Sequence, residues 1–376
     1  MRAGERITIK AAVIDAYQAA SSPHSIRALK SDLEAFDLWC RSSQRISLPA
    51  SAETVAEYLD ARAGRGSKPA SVGRYKASIA KIHQILGLVD PTTDILVKLR
   101  LSAIRRRMGT AQSQARPLRF KGPVRDVERD APRGLNVRTL LESCGDDLPG
   151  LRDRALLSVA YDTGLRASEL VAVDFAHILE AIDPEARLLS IPRSKGDQEG
   201  EGATAYLSPR SVRAIAAWQD AAGIASGSIF RRVQVRRYKA RAAVKGRQID
   251  SISSREKWDL RKTLPKAAVA ARVEYDIGQK SLHPGSIGPI YRAIICRAFD
   301  AGALPDLTKD DLERLLKGVS AHSTRVGLNQ DLFTSGEDLA GIMDALRWKS
   351  PRMPLAYNRN LAAEHGAAGR LLAKIG

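Results

Sequence analysis

The chain has 376 residues, more than one hydrophobic core usually needs, so the sequence predicts at least two domains. Hydrophobic residues make up 44% of the chain, which excludes wholesale disorder. Lysine and arginine number 60 against 42 acidic residues, and the formal net charge of +18 favours a polyanionic partner, most simply nucleic acid, over a generally basic surface.

Residues 10–111 are predicted to form a helical domain. Apolar residues between Ile26 and Trp39 recur at three- and four-residue spacing, which places them on one face of a helix. Ser51 is suited to cap a second helix, Ser71 to start a third, and Pro91 precedes a fourth. Four amphipathic helices of this kind predict a small bundle.

The fourth of these helices has one basic side. A bundle with such a side can lie against a DNA backbone, although a solvated helix end explains the charges equally well. The candidate DNA-binding residues on this helix are Lys98, Arg100, Arg105, Arg106 and Arg107.

Residues 112–134 interrupt the helical pattern with prolines and glycines and with few apolar residues, which predicts an exposed linker. The linker is basic, so it would let two DNA-facing domains close around a duplex. Its candidate DNA-binding residues are Arg116, Arg119 and Lys121.

Residues 135–376 are predicted to form the second domain. The expected fold class is mainly α with a small antiparallel β-sheet (α+β), because two short apolar strands flank a polar, glycine-rich turn between helical stretches. The predicted elements are helices over 151–162 and 208–222, strands over 188–192 and 204–207, and helices again from 286 onward.

Residues 231–280 form a basic insertion whose secondary structure is the least legible in the chain. Its first half is rich in arginine and lysine and holds no acidic residue between 231 and 247. We predict that it orders on contact with DNA; a disordered loop is the alternative. Its candidate DNA-binding residues are Arg231, Arg232, Arg236 and Arg237.

A nucleic-acid partner makes phosphoryl transfer the reaction to consider. A phosphodiester under attack gains negative charge on its non-bridging oxygens, and guanidinium groups stabilise that charge with paired hydrogen bonds. The reaction also needs a nucleophile, a group that accepts its proton and an acid for the leaving oxygen. The second domain contains candidates for each role.

The motif TGLRASEL at residues 163–170 offers the first guanidinium. Gly164 suits a sharp helix end, and Arg166 would open the next helix. Glu169 lies one turn later and would orient a basic group. A surface Arg/Glu helix pair is an equally common explanation of this pattern.

The motif AHSTRVG at residues 321–327 offers the second guanidinium. His322 and Arg325 are three residues apart and share one helix face, so both side chains would converge on one phosphate. In a chain this rich in arginine, a chance match is the open alternative.

An aromatic pair completes the candidate set. The indole N–H of Trp348 can donate to a phosphate oxygen. Tyr357 is a candidate nucleophile, but a tyrosine hydroxyl with an ordinary pKa near 10 needs a cationic pocket or a base. Taken alone, both residues are better explained as core packing.

Taken together, TGLRASEL, AHSTRVG and the run from Trp348 through AYNRNLAAEHGAAGRLLA at 356–373 resemble the tyrosine recombinase (integrase) family in order and spacing. The resemblance covers most of residues 135–376, and residues 10–111 resemble the family's core-binding domain more loosely. Many members carry a histidine where Trp348 stands, so the tryptophan indicates one branch of the family.

The resemblance implies a role for each motif residue. Arg166 and Arg325 would clamp the scissile phosphate, with Glu169 supporting the first of them. Tyr357 would attack and leave a 3′-phosphotyrosyl link. The remaining implied roles are proton acceptor for His322, hydrogen-bond donor for Trp348, and acid for Lys195, which lies in the predicted hairpin turn and would protonate the leaving 5′ oxygen.

The resemblance also implies the partners. It predicts double-stranded DNA with inverted-repeat sites, a homotetramer on that DNA, and no metal or other cofactor. The apolar helix over 361–375 would dock into a neighbouring subunit, or it packs on its own domain. Two other functions stay open, namely a nicking-closing enzyme like type IB topoisomerases and a non-catalytic architectural DNA-binding protein.

The cysteines and the apolar residues bear on the compartment. Three widely spaced cysteines without a Cys-x-x-Cys pair predict neither a disulfide framework nor a cysteine zinc site. Residues 1–10 lack the apolar core of a signal peptide, and no stretch reaches the roughly 18 apolar residues of a membrane span. We therefore expect a cytoplasmic protein without a membrane partner.

Overall fold

The computed structural model describes residues 11–111, 114–120, 122, 134–192, 202–246, 264–359, 361 and 366–375. The chain divides into two compact units, Met1–Ser113 and Gln114–Gly376. No helix in the described ranges is both long and apolar enough to cross a membrane.

The first unit is helical, as predicted. Ser51 caps α3 by accepting a hydrogen bond from the Thr54 backbone N–H at 3.2 Å, which confirms the predicted cap. The third predicted helix begins at Pro69 rather than at Ser71, because proline fits the first helical turn. Its described helices are α1 (Ala11–Ala20), α2 (Pro23–Ser42), α3 (Ala52–Gly64), α4 (Pro69–Ile85) and α5 (Ile95–Met108).

The core of this unit is aromatic at its centre. The Tyr58 ring lies 4.9 Å from the Phe36 ring and 5.3 Å from the Trp39 ring, measured between centroids. Leu101 and Ile104 of α5 are buried against the same cluster. The apolar side of α5 therefore holds this helix in place and leaves its basic side exposed.

The second unit combines helices with two small antiparallel sheets, which confirms the predicted α+β class. Its described helices are α6 (Val137–Glu142), α7 (Leu148–Thr163), α8 (Ala167–Val171), α9 (Pro209–Ala222), α10 (Ile287–Asp300), α11 (Lys309–Gly318), α12 (Ser323–Thr334), α13 (Leu339–Ala345), α14 (Arg352–Tyr357) and α15 (Ala367–Ile375). Its described strands are β1 (Ile178–Glu180), β2 (Arg187–Ile191), β3 (Ala203–Leu207), β4 (Arg231–Tyr238) and β5 (Arg272–Ser281).

Helix α7 lies at the centre of this unit. Most of its side chains are buried, and it packs against α9, α12 and β3. Because α7 is buried on nearly all sides, its C-terminal end is fixed within the core. The first sheet has the order β1-β2-β3 and pairs Leu189 with both Ile178 and Ala205. Strand β1 was not predicted, since it has only three residues and two of them are exposed.

The basic insertion forms a ribbon of two antiparallel strands, β4 and β5, in its described parts. Strand β5 places Glu274 opposite Arg236 and Asp276 opposite Gln234. Acidic residues from the second half of the insertion therefore lie beside the basic first half. Residues 247–263 of the insertion lie outside the described ranges.

The prediction of an exposed linker is wrong for residues 114–120. Leu118 is fully buried, and its backbone N–H donates to the Ser323 carbonyl at 2.9 Å. Gly327 of α12 permits this approach, because a Cβ at that position would overlap the Leu118 carbonyl. The prediction failed because the segment has few apolar residues, and those it has, Leu118 and Phe120, pack against parts of the chain that are distant in sequence. Most of the remaining linker lies outside the described ranges.

Candidate active site

A glycine turn at the end of α7 positions the first candidate arginine. Gly164 ends the helix with φ at +55°, in the left-handed region, and a Cβ there would overlap the Leu346 side chain. Arg166 then caps α8 and donates from Nη1 to the Glu169 carboxylate at 2.7 Å. Its backbone N–H donates to the same carboxylate at 2.9 Å. The predicted Arg/Glu pair therefore forms within one short helix.

The environment of Glu169 keeps its carboxylate charged. Burial alone would raise the pKa of Glu169, but hydrogen bonds from the Arg166 backbone and side chain and the charges of Arg166 and Arg325 hold it below its ordinary value. The Glu169 carboxylate therefore stays negatively charged beside the guanidinium groups.

Arg325 of α12 reaches both the α7 turn and the segment that leads to Trp348. Its side chain is 2% exposed and donates from Nη1 to the Gly164 carbonyl at 2.5 Å and from Nη2 to the Leu346 carbonyl. Burial, together with the charges of the nearby cations Arg166 and Arg347, lowers the pKa of Arg325 to about 9. An anion in this place would therefore find a strongly desolvated positive charge.

The Trp348 ring packs against Arg325, and the Tyr357 ring packs against Trp348. The Arg325 guanidinium carbon lies 4.7 Å from the centroid of the Trp348 ring, which is cation–π range. The Trp348 and Tyr357 ring centroids are 5.7 Å apart, with the planes tilted by 59°. Burial raises the pKa of Tyr357, whereas the charges of Arg325 and Arg166 act to lower it. The phenol therefore lies within the electrostatic reach of both candidate arginines.

Three polar side chains that sequence reasoning missed fix the end of α14. Gln114 and Gln330 donate from Nε2 to the Tyr357 carbonyl at 3.1 and 3.0 Å. Asn329 donates from Nδ2 to the Asn358 side-chain oxygen at 2.6 Å. Asn329 and Gln330 are buried polar residues on α12, and their position four and five residues after Arg325 was the available signal.

Arg347 is a further cation that sequence reasoning missed. It lies between Leu346 and Trp348 with φ at +53°, a conformation that costs a residue with a side chain roughly 1–2 kcal/mol. Its Nη2 donates to the Thr163 carbonyl at 3.0 Å, at the end of α7. Burial lowers the pKa of Arg347, as does the charge of Arg166, while Glu169 raises it.

The two remaining candidate catalytic residues are His322 and Lys195. His322 is exposed at the N-terminal end of α12, and its backbone N–H donates to Ser320 Oγ at 3.2 Å. It lies three positions before Arg325, at the start of the same helix. Lys195 lies outside the described residues.

Two of the predicted DNA-binding residues have buried side chains that are paired within the protein. Arg119 is buried and forms an ion pair with Asp331 at 2.6 Å. Arg231 is 9% exposed and donates to the Ser228 carbonyl at 2.8 Å. Basic composition alone could not reveal these acceptors. The predicted residues with exposed side chains are Lys98, Arg100, Arg105, Arg106, Arg107, Arg116, Arg232, Arg236 and Arg237, and Lys121 lies outside the described residues.

The known proteins to which the chain is similar are named as recombinases. No protein-family profile matches the chain. The chain is 30% identical over 238 residues to an integrase/recombinase xerD homolog of Selenomonas ruminantium, which covers 60% of this chain and 64% of that protein. It is 26% identical over 357 residues to the recombinase cre of Escherichia phage P1, covering 94% and 89% of the two chains. The chain thus spans just under two thirds of the Selenomonas protein.

A solved structure shares the fold. The Tn1549 transposon integrase in complex with transposon right end DNA superposes with a TM-score of 0.52 at 11% identity, over 92% of both chains.

Proposed function

We propose that the chain is a tyrosine recombinase, like the relatives to which it is similar, and that it cuts and rejoins DNA strands through a covalent bond between Tyr357 and a 3′ phosphate. One observation carries this proposal. Arg325 donates to the turn that leads to Arg166, donates to Leu346, and stacks on Trp348 beside Tyr357. Three distant stretches of the sequence thereby surround one cationic site.

The reaction begins with attack of the Tyr357 hydroxyl oxygen on the scissile phosphorus. The oxygen–phosphorus bond forms while the bond from phosphorus to the 5′ oxygen breaks, which leaves a 3′-phosphotyrosyl link and a free 5′ hydroxyl. Arg166 and Arg325 stabilise the charge that builds on the non-bridging oxygens. A guanidinium has five N–H donors, so Arg325 can keep its two carbonyl contacts and still donate to a phosphate.

Proton transfer belongs to two other residues in this proposal. His322 accepts or shares the proton of Tyr357, which the exposed position at the start of α12 allows. Lys195 protonates the leaving 5′ oxygen. Trp348 donates a hydrogen bond to a phosphate oxygen, and Glu169 holds Arg166 in place. Because a DNA 5′ hydroxyl can attack the phosphotyrosyl bond in turn, the same residues would rejoin strands without an external energy source.

The DNA itself would be held by exposed basic residues of both units. The last turn of α5 carries the exposed side chains of Arg105, Arg106 and Arg107, and this helix is anchored by its buried Leu101 and Ile104. In the second unit, Arg116, Arg232 and Arg237 are exposed. The expected target is a duplex with inverted-repeat sites, since the relatives are recombinases.

Strand exchange would require several subunits, and we propose a tetramer. Helix α15 supports this assembly, because Leu371, Leu372 and Ile375 are 59%, 61% and 70% exposed. Three large apolar side chains on a nine-residue helix favour docking into a neighbouring subunit.

Covalent trapping tests the proposal. A duplex is first selected from a randomised library by binding, and a nick is placed so that the leaving strand diffuses away after cleavage. The unaltered protein should form a DNA adduct that survives denaturation, and Tyr357→Phe should bind the duplex with unchanged affinity and form none. An adduct in the Tyr357→Phe variant would overturn the assignment. Adduct formation without strand exchange between two duplexes would favour a nicking-closing enzyme instead.

A further inference from the structure

Arg347 has a backbone conformation that its residue type does not favour. Its φ of +53° lies in the left-handed region, where glycine avoids the steric cost that a side chain meets. A large charged residue at such a position indicates that its side chain supplies something a glycine would not.

The guanidinium of Arg347 is only partly satisfied. Its Nη2 donates to the Thr163 carbonyl at 3.0 Å. Its Nε and Nη1 are buried and find no acceptor among the residues that the structure describes. Buried N–H groups without an acceptor are costly, so these two donors are suited to an acceptor that arrives with a ligand.

The surroundings of Arg347 are the candidate active site. It follows Leu346, whose carbonyl accepts from Arg325, and it precedes Trp348, on which Arg325 stacks. Its Thr163 contact adjoins the Gly164 carbonyl that also accepts from Arg325. In the described site, Arg166, Arg325 and Arg347 share the single carboxylate of Glu169. Positive charge is therefore in excess, and an anion would complete the site.

We propose that Arg347 is a third phosphate-binding guanidinium of this active site, donating from Nε and Nη1 to a non-bridging oxygen of the scissile phosphate. The inference rests on the proposed function, since it takes the ligand to be that phosphate. Arg325 is 2% exposed and these two nitrogens are buried, so a phosphate bound by both side chains would have to displace the atoms that cover them.

The alternative is that Arg347 only ties its segment to the end of α7 through Thr163. A matched pair of nicked duplexes separates the two roles. One carries the ordinary phosphodiester at the cut position, and the other carries a methylphosphonate, which keeps the leaving group but replaces one charged oxygen with a methyl group. A residue that stabilises that charge matters on the first duplex only, whereas a positioning residue matters equally on both.

Arg347→Gly is the variant of choice, because glycine fits the backbone conformation and the variant should therefore fold. We expect adduct formation on the phosphodiester to slow about 100-fold, with the methylphosphonate cleaved within about threefold of the parent rate. Arg213→Gln is the control for loss of one positive charge, since its side chain is 70% exposed and pairs with Glu185. It should change neither rate.

Each other result has a defined meaning. Equal losses on both duplexes, or no loss on the phosphodiester, would overturn the inference. Failure of the parent to form any adduct on the phosphodiester would refute the proposed function itself. A thermal melt of Arg347→Gly at or above the parent temperature would show that the rate loss does not come from unfolding.

Discussion

Glu169 is the buried negative charge on which the cationic site depends. Its carboxylate accepts two hydrogen bonds from Arg166, and the side chain is 4% exposed. The guanidinium groups of Arg166, Arg325 and Arg347 would otherwise repel one another in a desolvated place. The position of this one acid therefore governs both the geometry and the stability of the site.

Glu169→Gln should lower the free energy of unfolding by about 2–3 kcal/mol at pH 7. Loss of a partner from a fully buried ion pair costs about 3–5 kcal/mol, and the smaller figure allows for the 22% exposure of Arg166. Because the pKa of Glu169 is lowered in the folded state, its contribution is complete above its ordinary value of 4.5 and is lost as the pH falls through the folded pKa. Urea denaturation of parent and variant at pH 7 and pH 3 measures this difference.

The control is Asp146→Asn, which removes a carboxylate that is 91% exposed and paired with Arg154. Its effect should stay within about 0.5 kcal/mol at both pH values. A deficit in Glu169→Gln that persisted unchanged at pH 3 would contradict the role assigned to the charge.

At the scale of elements, α12 joins the site to the rest of the second unit. One end of α12 carries Arg325, and Asn329 and Gln330 on the same helix hold the end of α14. Gly327 admits the backbone of Leu118 so closely that no side chain fits between them. The segment 114–120 is therefore part of the site's scaffold.

Gly327→Ala should destabilise the second unit by roughly 1–3 kcal/mol, because the added methyl group meets backbone atoms that cannot rotate away. Gly288→Ala is the matched control, a buried helical glycine where an added Cβ would make ordinary contacts of 3.5 Å or more. This control substitution should leave stability unchanged or raise it, since alanine has a higher helix propensity than glycine. Thermal unfolding of the two variants compares them directly. Equal melting temperatures would mean that segment 114–120 does not pack as described.

The sequence predicted the helices with a clear apolar stripe and the ends marked by capping residues. The cap at Ser51 and the turn at Gly164 are examples, because their signals lie within a few residues. The motifs also predicted that Arg325, Trp348 and Tyr357 lie near one another. The sequence could not predict contacts between residues that lie far apart along the chain. Arg119 finds Asp331 only after folding, and the closeness of Gln114 to Tyr357 has no local signal.

At the scale of the whole molecule, the proposed binding to DNA draws on a net charge of +18. Part of that charge is neutralised internally, as in the pairs Arg119–Asp331 and Arg297–Asp153. The charge available to phosphates lies on exposed side chains such as those at the end of α5. Binding to a duplex should therefore be steeply salt-dependent.

Arg106 and Arg107 together test this view. Each phosphate contact contributes about one to the slope of log affinity against log salt concentration, so the double change to glutamine should reduce that slope by about two on a random-sequence duplex. Fluorescence anisotropy between 50 and 300 mM salt, roughly the range over which such contacts are lost, gives the slope. Arg213→Gln serves as the single-charge control. An unchanged slope in the double variant would remove the end of α5 from the DNA interface.

The proposed reaction requires that Tyr357, among the nine tyrosines in the chain, is the residue that bonds to DNA. The most direct measurement is mass spectrometry of the trapped adduct after digestion of protein and DNA. We expect a nucleotide attached through its 3′ phosphate to the peptide that contains Tyr357. A nucleotide on any other tyrosine, or one attached through a 5′ phosphate, would contradict the proposed reaction.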